Sequence, residues 1–205
     1  SRTGIELSLA KHIVMGDKGT FFLFIESRMQ QYSLDRAKLS ATLGADPALG
    51  TSDSRIKFDA GFGISYTNKK VQFGASVSQL VQSKLNFYSG NLTTSEAARL
   101  YRHYYFNGLY NFDVDGVTTI TPNALVIYLP NSPVNFQAGL RFEHNKTFWW
   151  GLGYRASQSY MVSAGVHINK KITLGYAYDD YISPVSNFDN GANAHEVLLR
   201  YNLAK

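Results

Sequence analysis

Hydrophobic and polar residues alternate along most of this chain with a period of two. In VNFQAGLRFEH (134–144), one parity carries Val, Phe, Ala, Leu and Phe, and the other carries Asn, Gln, Gly, Arg and Glu. Successive side chains of a β-strand point to opposite faces, so this pattern predicts a strand with one apolar side. The same alternation predicts eleven strands, at about 4–14, 20–34, 55–67, 71–83, 102–114, 118–130, 134–144, 147–157, 160–169, 171–181 and 195–203.

The length and the connections of these strands favour a membrane barrel. Most have 9 to 13 residues, whereas globular strands centre on about 5–6 and a tilted strand crossing a bilayer needs about 9–11. Five tight polar turns (MGDKGT, TNKK, DVDG, HNKT and INKK) alternate with other connections, three of them long, at 35–54, 84–101 and 182–194. Outer-membrane barrels have short periplasmic turns and longer extracellular loops. We therefore predict an all-β fold, a transmembrane antiparallel β-barrel of the outer-membrane type, with the short turns and the C-terminus periplasmic and the long loops extracellular.

Strand parity adds an expectation about the whole chain. The first and the eleventh predicted strands run in the same direction, towards the periplasm, whereas a barrel with both termini periplasmic has an even number of strands. We therefore expect an odd number of further strands, three by our estimate, before Ser1. Residues 1–205 are interpreted as a single barrel domain that forms the C-terminal majority of a longer chain.

Composition excludes several classes of function. The net charge is +5, and the basic residues are scattered rather than gathered into the stripe that a nucleic-acid backbone requires. Cysteine is absent, which excludes disulfides and thiolate metal sites. The longest apolar runs, such as ALVIYL (124–129), are far shorter than the roughly 20 residues of a spanning helix. The sequence contains neither GxSxG nor a phosphate-binding glycine loop, and its five histidines lack metal-ligand spacing. We expect no enzymatic activity, no metal and no cofactor.

Strand parity also assigns candidate residues to the two sides of the predicted barrel. In TFWWGLGYR (147–155) the two adjacent tryptophans have opposite parity, so Trp150 is expected in the aromatic girdle and Trp149 in the lumen. The expected girdle residues are Phe148, Trp150, Tyr154, Tyr176 and Tyr201. The expected lumen-facing or partner-binding residues are Lys57, Asp59, Gly61, Gly63, Arg141, Glu143, Trp149, Gly151, Gly153, Arg155, His167 and Arg200. The glycines indicate either a curved, narrow barrel or a lumen that accepts an inserted polypeptide.

Three stretches resemble a known family. KFDAGFGISYTNKKVQFGASVSQLVQSKLNF (57–87), LYRHYYFNGLYNFDV (100–114) and the run from FWWGLGYR to HEVLLRYNL (148–203) are similar to the PorP/SprF proteins of Bacteroidota. These are outer-membrane proteins of type IX secretion and gliding motility. The resemblance covers most of the chain from about residue 20 onward. The family's signal peptide and its early Asn-Pro-Ala-Tyr-type segment are absent, and the chain ends in YNLAK without a terminal aromatic residue.

The resemblance implies a non-enzymatic barrel that supports secretion or surface anchoring of a large adhesin by binding its C-terminal domain. The implied partners are that domain, other type IX secretion components and the lipid bilayer. Two other interpretations remain open from the residues alone. The chain is also compatible with a small-solute porin, and with a soluble β-sandwich module in which tryptophans alternate equally well.

Overall fold

The chain forms one antiparallel sheet. The structure is a computed structural model and describes residues 2–33, 54–84, 99–168, 171–187 and 193–202. Its strands are β1 (Arg2–Val14), β2 (Thr20–Ser33), β3 (Ser54–Thr67), β4 (Val71–Ser78), β5 (His103–Tyr110), β6 (Phe112–Asp113), β7 (Thr118–Tyr128), β8 (Asn135–His144), β9 (Phe148–Arg155), β10 (Ser159–His167), β11 (Ile172–Tyr181) and β12 (Ala194–Tyr201). The helical segments in this part of the chain are two short 3-10 turns, Gly16–Lys18 and Val185–Asn187. None of the helices that the structure describes is long and apolar enough to cross a membrane.

The strands follow one another as a meander. The order in the sheet is β1-β2-β3-β4-β5-β7-β8-β9-β10-β11-β12, and β6 pairs with β7. The eleven predicted strands are confirmed, with one of them divided. β5 and β6 share a single register along β7, and they separate at Asn111, opposite Thr121 and Pro122. Pro122 has no backbone N–H to donate to the ladder, which accounts for the interruption.

β4 is shorter than the predicted segment 71–83. It ends at Ser78 because Gln79 has a positive φ of 59°, which shifts the pairing with β3 by one residue. Beyond it the chain continues along β3, and the backbone N–H of Leu80 donates to the carbonyl of Ala60 at 3.0 Å. The carboxylate of Asp59 accepts from the N–H of Val81 at 3.1 Å. Asp59 therefore holds this shifted segment against β3.

The five predicted tight turns are confirmed, and they alternate with connections of which two, 129–134 and 156–158, are also short. Tight turns join β1 to β2, β3 to β4, β6 to β7, β8 to β9 and β10 to β11, so in a meander all five lie at one end of the sheet, named here the tight-turn rim. The other connections lie at the opposite end. The three predicted long loops lie mostly outside the described residues, which exclude 34–53, 85–98 and 188–192.

The two faces of the sheet differ in character along all the strands. The apolar face contains Leu140, Leu152 and the residues in register with them; the polar face contains Arg141, Gly151 and the residues in register with those. Among the described residues, 35 large apolar side chains are exposed, and Trp149 is the single buried one. Each large apolar side chain left in water forgoes roughly 1.5–3 kcal/mol. This sidedness is the reverse of a water-soluble protein.

The sheet is open within the described residues. β1 and β12 are its edges, and no second sheet packs against either face in this part of the chain. A β-sandwich buries its apolar sides between two sheets, so the arrangement does not favour the sandwich interpretation. Closure into a barrel stays a prediction.

Candidate partner-binding face

Trp149, the second residue of β9, lies buried on the polar face. It pairs across the strands with Gly165, which in turn pairs with Gly175 on β11. A Cβ atom on Gly165 would lie 2.4 Å from Cζ2 of the indole, and one on Gly175 would lie 3.0 Å from it. The indole therefore lies across two glycine positions, where any larger residue would collide with it. Its side chain is only 8% exposed.

Arg141 covers the Trp149 indole. Its guanidinium carbon lies 4.3 Å from the ring centroid, a cation–π geometry. The same guanidinium donates to the carboxylate of Glu143 at 2.7 Å. Nε2 of His167 lies 3.8 Å from that carboxylate, and Nδ1 of His167 is 2.8 Å from the hydroxyl of Thr173. Four strands thus join in one polar cluster around a single indole.

Arg155 lies on the polar face near the opposite end of β9. Its guanidinium pairs with Asp179 on β11 at 3.3 Å. A cavity of about 310 Å³ runs from here to Trp149, lined among others by Gln137, Met161 and Glu196. Asp179, Met161 and Glu196 were missed by the sequence prediction, although their parity along β10–β12 places them on this face.

A second group of the predicted residues lies on β3. Asp59 is 8% exposed and accepts hydrogen bonds from the N–H groups of Ala60 and Val81. The place of a Cβ on Gly63 is filled by the ring of Phe24 from β2. Gly61 lines a cavity of about 410 Å³. The aromatic ring over glycine therefore recurs, at Gly63 as at Gly165.

The ion pairs beside β3 were not anticipated from the sequence. Arg28 pairs with Glu6 at 2.8 Å and with Glu26 at 2.6 Å, so it bridges β1 and β2 on the polar face. In the segment ESRMQ of β2, Glu26 and Arg28 have the opposite parity to Met29. This alternation could have predicted that both charges lie on the polar face.

The predicted residues form two separate groups. Lys57, Asp59, Gly61 and Gly63 lie on β3, whereas Arg141, Glu143, Trp149, Gly151, Gly153, Arg155, His167 and Arg200 lie on β8, β9, β10 and β12. β4, β5 and β7 separate the two groups within the sheet. Arg200 lies with Glu143 and His167 around a cleft of about 590 Å³ at the tight-turn rim. All twelve positions belong to the polar face, but a single ligand-sized site does not gather them.

The expected girdle residues all lie on the apolar face. Phe148 and Tyr201 are at the tight-turn rim, and Tyr154 is near the opposite end of β9. Trp150 stacks on Phe142, with ring centroids 4.2 Å apart. Tyr176 lies in the middle of β11, and its hydroxyl bonds to Nδ1 of His195. The membrane role of these side chains stays a prediction.

The described residues contain no group of three or more His, Cys, Asp or Glu placed to hold a metal ion. The geometry therefore consists of an exposed apolar face, and a polar face with ion pairs and two aromatic rings seated on glycines.

Comparison with known proteins assigns the chain to a family. No curated protein matches the chain. The model of the family described as "Type IX secretion system membrane protein PorP/SprF" matches residues 1–201. With almost the whole chain covered, this protein belongs to the PorP/SprF family of type IX secretion system membrane proteins.

Proposed function

We propose that this protein is an outer-membrane β-barrel accessory of type IX secretion that supports secretion or surface anchoring of a large adhesin by binding its C-terminal domain. In this proposal the short turns and the C-terminus face the periplasm and the long loops face the outside. The role is non-enzymatic. Family membership supports the secretion context, and the sheet supports the membrane setting.

The reversed sidedness of the sheet carries the proposal. Leu152 and Val162 are paired neighbours on the apolar face, and they are 51% and 47% exposed. Lipid is the solvent that suits such a surface. A protein partner is then left with the loops and with the polar face, which offers arginine side chains and paired carboxylates. Arginine is enriched among the residues that dominate binding energy at protein interfaces.

Co-purification of the native protein tests the proposal. The tagged protein is extracted from its own membrane in mild detergent, and the bound proteins are identified by mass spectrometry. We expect to recover a secreted protein with a C-terminal sorting domain, together with secretion components. Recovery of the folded barrel with neither would count heavily against the proposal.

A matched pair of variants assigns the interaction to the polar face. Arg155→Ala removes a guanidinium that lines the 310 Å³ cavity, and Arg99→Ala removes one outside it. We expect Arg155→Ala to lower recovery of the partner several-fold, and Arg99→Ala, which tests the predicted loop 84–101, to lower it less. Equal recovery of the partner with the two variants would indicate that it contacts the loops rather than this cavity.

A diffusion channel is the second candidate, and the charged pairs on the polar face favour it. The ion pairs Arg141–Glu143 and Arg155–Asp179 are typical of the polar lining of a water-filled channel. A channel predicts ion conductance in planar bilayers that decreases in Gly151→Trp, a substitution on the polar face. Gly108→Trp, on the apolar face, is the control. Absence of conductance in the wild-type protein would remove this candidate.

A further inference from the structure

The two ends of the sheet differ in charge. The five tight turns (15–19, 68–70, 114–117, 145–147 and 168–171) contain six lysines and two aspartates, a net charge of +4. The connections at the opposite end (34–53, 79–102, 129–134, 156–158 and 182–193) contain five basic and five acidic residues, a net charge of zero. The tight-turn rim therefore holds most of the chain's net +5 in fewer than twenty residues.

Four of the rim lysines are exposed and form no ion pair among the described residues. They are Lys18, Lys69, Lys70 and Lys146. Lys69 and Lys70 follow Asn68, whose side-chain oxygen accepts from the N–H groups of Lys70 and Val71, both at 2.8 Å. Asn68 thus fixes the geometry of this turn, and the ammonium groups of Lys69 and Lys70 are accessible to an external partner.

The one tight turn without lysine uses its own charge internally. In the turn 114–117 the carboxylate of Asp115 accepts hydrogen bonds from the N–H groups of Val117 and Thr118. These backbone bonds hold the pKa of Asp115 below its ordinary value of 3.8. The turns on both sides of 114–117 are therefore cationic, and the carboxylate of Asp115 between them is hydrogen-bonded within its own turn.

Two clefts place the cationic groups on the polar side of the rim. Lys18, Lys69 and Lys70 line a cleft of about 700 Å³ together with Thr20 and Thr67, a cross-strand pair of the polar face. Asp17 also lines this cleft, so its three lysines and one aspartate give a net charge of +2. Lys146 lines the cleft of about 590 Å³ with His167, Arg200 and Glu143, whose carboxylate is already paired with Arg141. Because both clefts include polar-face residues, they open away from the surface that suits lipid.

The spacing of the two clefts matches an extended peptide. About six strand intervals separate β2–β3 from the middle of the second cleft, whose lining spans β8 to β12, which is roughly 30 Å along the sheet at about 4.8 Å per strand. An extended chain of about nine residues covers that distance at about 3.3 Å per residue. Clustered unpaired lysines attract carboxylates at long range, and the attraction decreases with salt.

We propose that the tight-turn rim is a docking surface for an acidic polypeptide segment, held by Lys18, Lys69 and Lys70 at one cleft and by Lys146, His167 and Arg200 at the other. The first cleft lies apart from the Trp149 cavity, whereas the second adjoins it through Glu143 and His167. The proposal does not depend on the adhesin interaction proposed above.

Binding of fluorescein-labelled decaglutamate to the full chain in neutral detergent micelles tests the proposal. Fluorescence anisotropy at 50 mM salt is expected to show saturable binding, with tetraglutamate at least ten-fold weaker because it reaches only one cleft. The quadruple variant Lys18→Gln, Lys69→Gln, Lys70→Gln and Lys146→Gln is expected to lose at least ten-fold in affinity. Binding should vanish at 1 M salt, where the screening length is about 3 Å.

A charge-matched variant separates the rim from net charge. The control variant removes four positive charges from the connections 34–53 and 79–102, by Arg36→Gln, Lys38→Gln, Lys84→Gln and Arg99→Gln. It should leave affinity within two-fold of wild type. Far-UV circular dichroism checks that both variants fold. Equal losses in the two variants, or no saturable binding, would overturn the proposal. If peptide does not bind but the rim variant alone loses association with phosphatidylglycerol vesicles, lipid phosphate is the ligand and the polypeptide proposal is wrong.

Discussion

Trp149 and Trp150 are adjacent in sequence, but their side chains lie in opposite environments. Trp150 is 40% exposed on the apolar face and stacks on Phe142. Trp149 is enclosed between the backbones of Gly165 and Gly175 on one side and the guanidinium of Arg141 on the other. The glycines opposite Trp149 therefore have a definite reason to be glycine, which is the volume of a neighbouring ring.

Replacing Gly165 by alanine tests that reason. The new Cβ would meet Trp149 at 2.4 Å and the carbonyl oxygen of Leu174 at 2.6 Å, so the ring and the backbone must both move. Overpacking of this kind costs about 1–3 kcal/mol. We expect the free energy of unfolding, measured by urea titration in micelles, to decrease by that amount.

Gly108→Ala is the control for this substitution. A Cβ on Gly108 comes no closer than 3.8 Å to its nearest neighbour, the carbonyl oxygen of Gln72. The change should leave stability within about 0.5 kcal/mol of wild type or raise it slightly. Equal destabilisation by the two alanines would contradict the role given to the Trp149 ring.

Much at this scale was predictable and some was not. Parity alone assigned Trp149 to the polar side and Trp150 to the apolar side, because a strand has only two faces. It did not reveal that Trp149 lies on Gly165 and Gly175, since a contact across two strands depends on their register. The same limit hid the Arg155–Asp179 pair and the ring of Phe24 over Gly63.

At the scale of the strand, consecutive residues of a β-element lie on the apolar and the polar face in turn. Phe106 and Asn107 are consecutive residues of β5, both exposed, on the apolar and polar faces respectively. Their neighbours across the sheet follow the same division, except for Leu125 on the polar face. Ala75 and Val126 flank Phe106, while Gly74 and Leu125 flank Asn107.

Arginine at each of these two positions should have different effects. Phe106→Arg places a charge where lipid is expected, at a cost of about 2–4 kcal/mol near the bilayer midplane. Asn107→Arg places the same charge on the polar face and should cost less than 1 kcal/mol. Urea unfolding of each variant in phospholipid vesicles provides the comparison. A larger loss for Asn107→Arg would mean that the two faces have been assigned to the wrong solvents.

The turn at 114–117 gives a pH dependence at the same scale. The backbone hydrogen bonds from Thr118 and Val117 lower the pKa of Asp115 below 3.8. A depressed carboxyl pKa contributes stability above the unfolded value, and that contribution is lost as pH falls through the folded value. Titration of the Asp115 carboxyl carbon by NMR should give a midpoint below 3.8. Amide protection of Val117 and Thr118 should weaken with it, and Asp115→Asn should abolish that acid-dependent step.

For the whole molecule, the alternation of strand faces and connection lengths was enough to predict eleven antiparallel segments in a meander. It did not predict the division at Asn111 or the early end of β4, because both depend on a partner strand. Pro122 lies on β7 opposite the first break, and Asp59 on β3 holds the second. Closure of the sheet and orientation in the membrane stay predictions.

The absence of cysteine makes the orientation directly measurable. Lys146→Cys places one thiol in a tight turn, and Ser132→Cys places one at the opposite end of the sheet, between β7 and β8. With a membrane-impermeant maleimide on intact cells, Ser132→Cys should be labelled and Lys146→Cys should not. Permeabilising the outer membrane should expose both. Labelling of Lys146→Cys alone in intact cells would invert the proposed topology.

The meander also bears on how such a molecule is assembled and altered. Each strand pairs with the strands that precede and follow it in sequence, apart from the short β6, so no new pairing closes a loop longer than the connection 79–102. Contacts of this local kind permit growth of the sheet one hairpin at a time. A hairpin is also the smallest unit that can be duplicated or deleted while every remaining strand keeps its direction. Variation in size among such sheets is therefore expected to occur in steps of two strands.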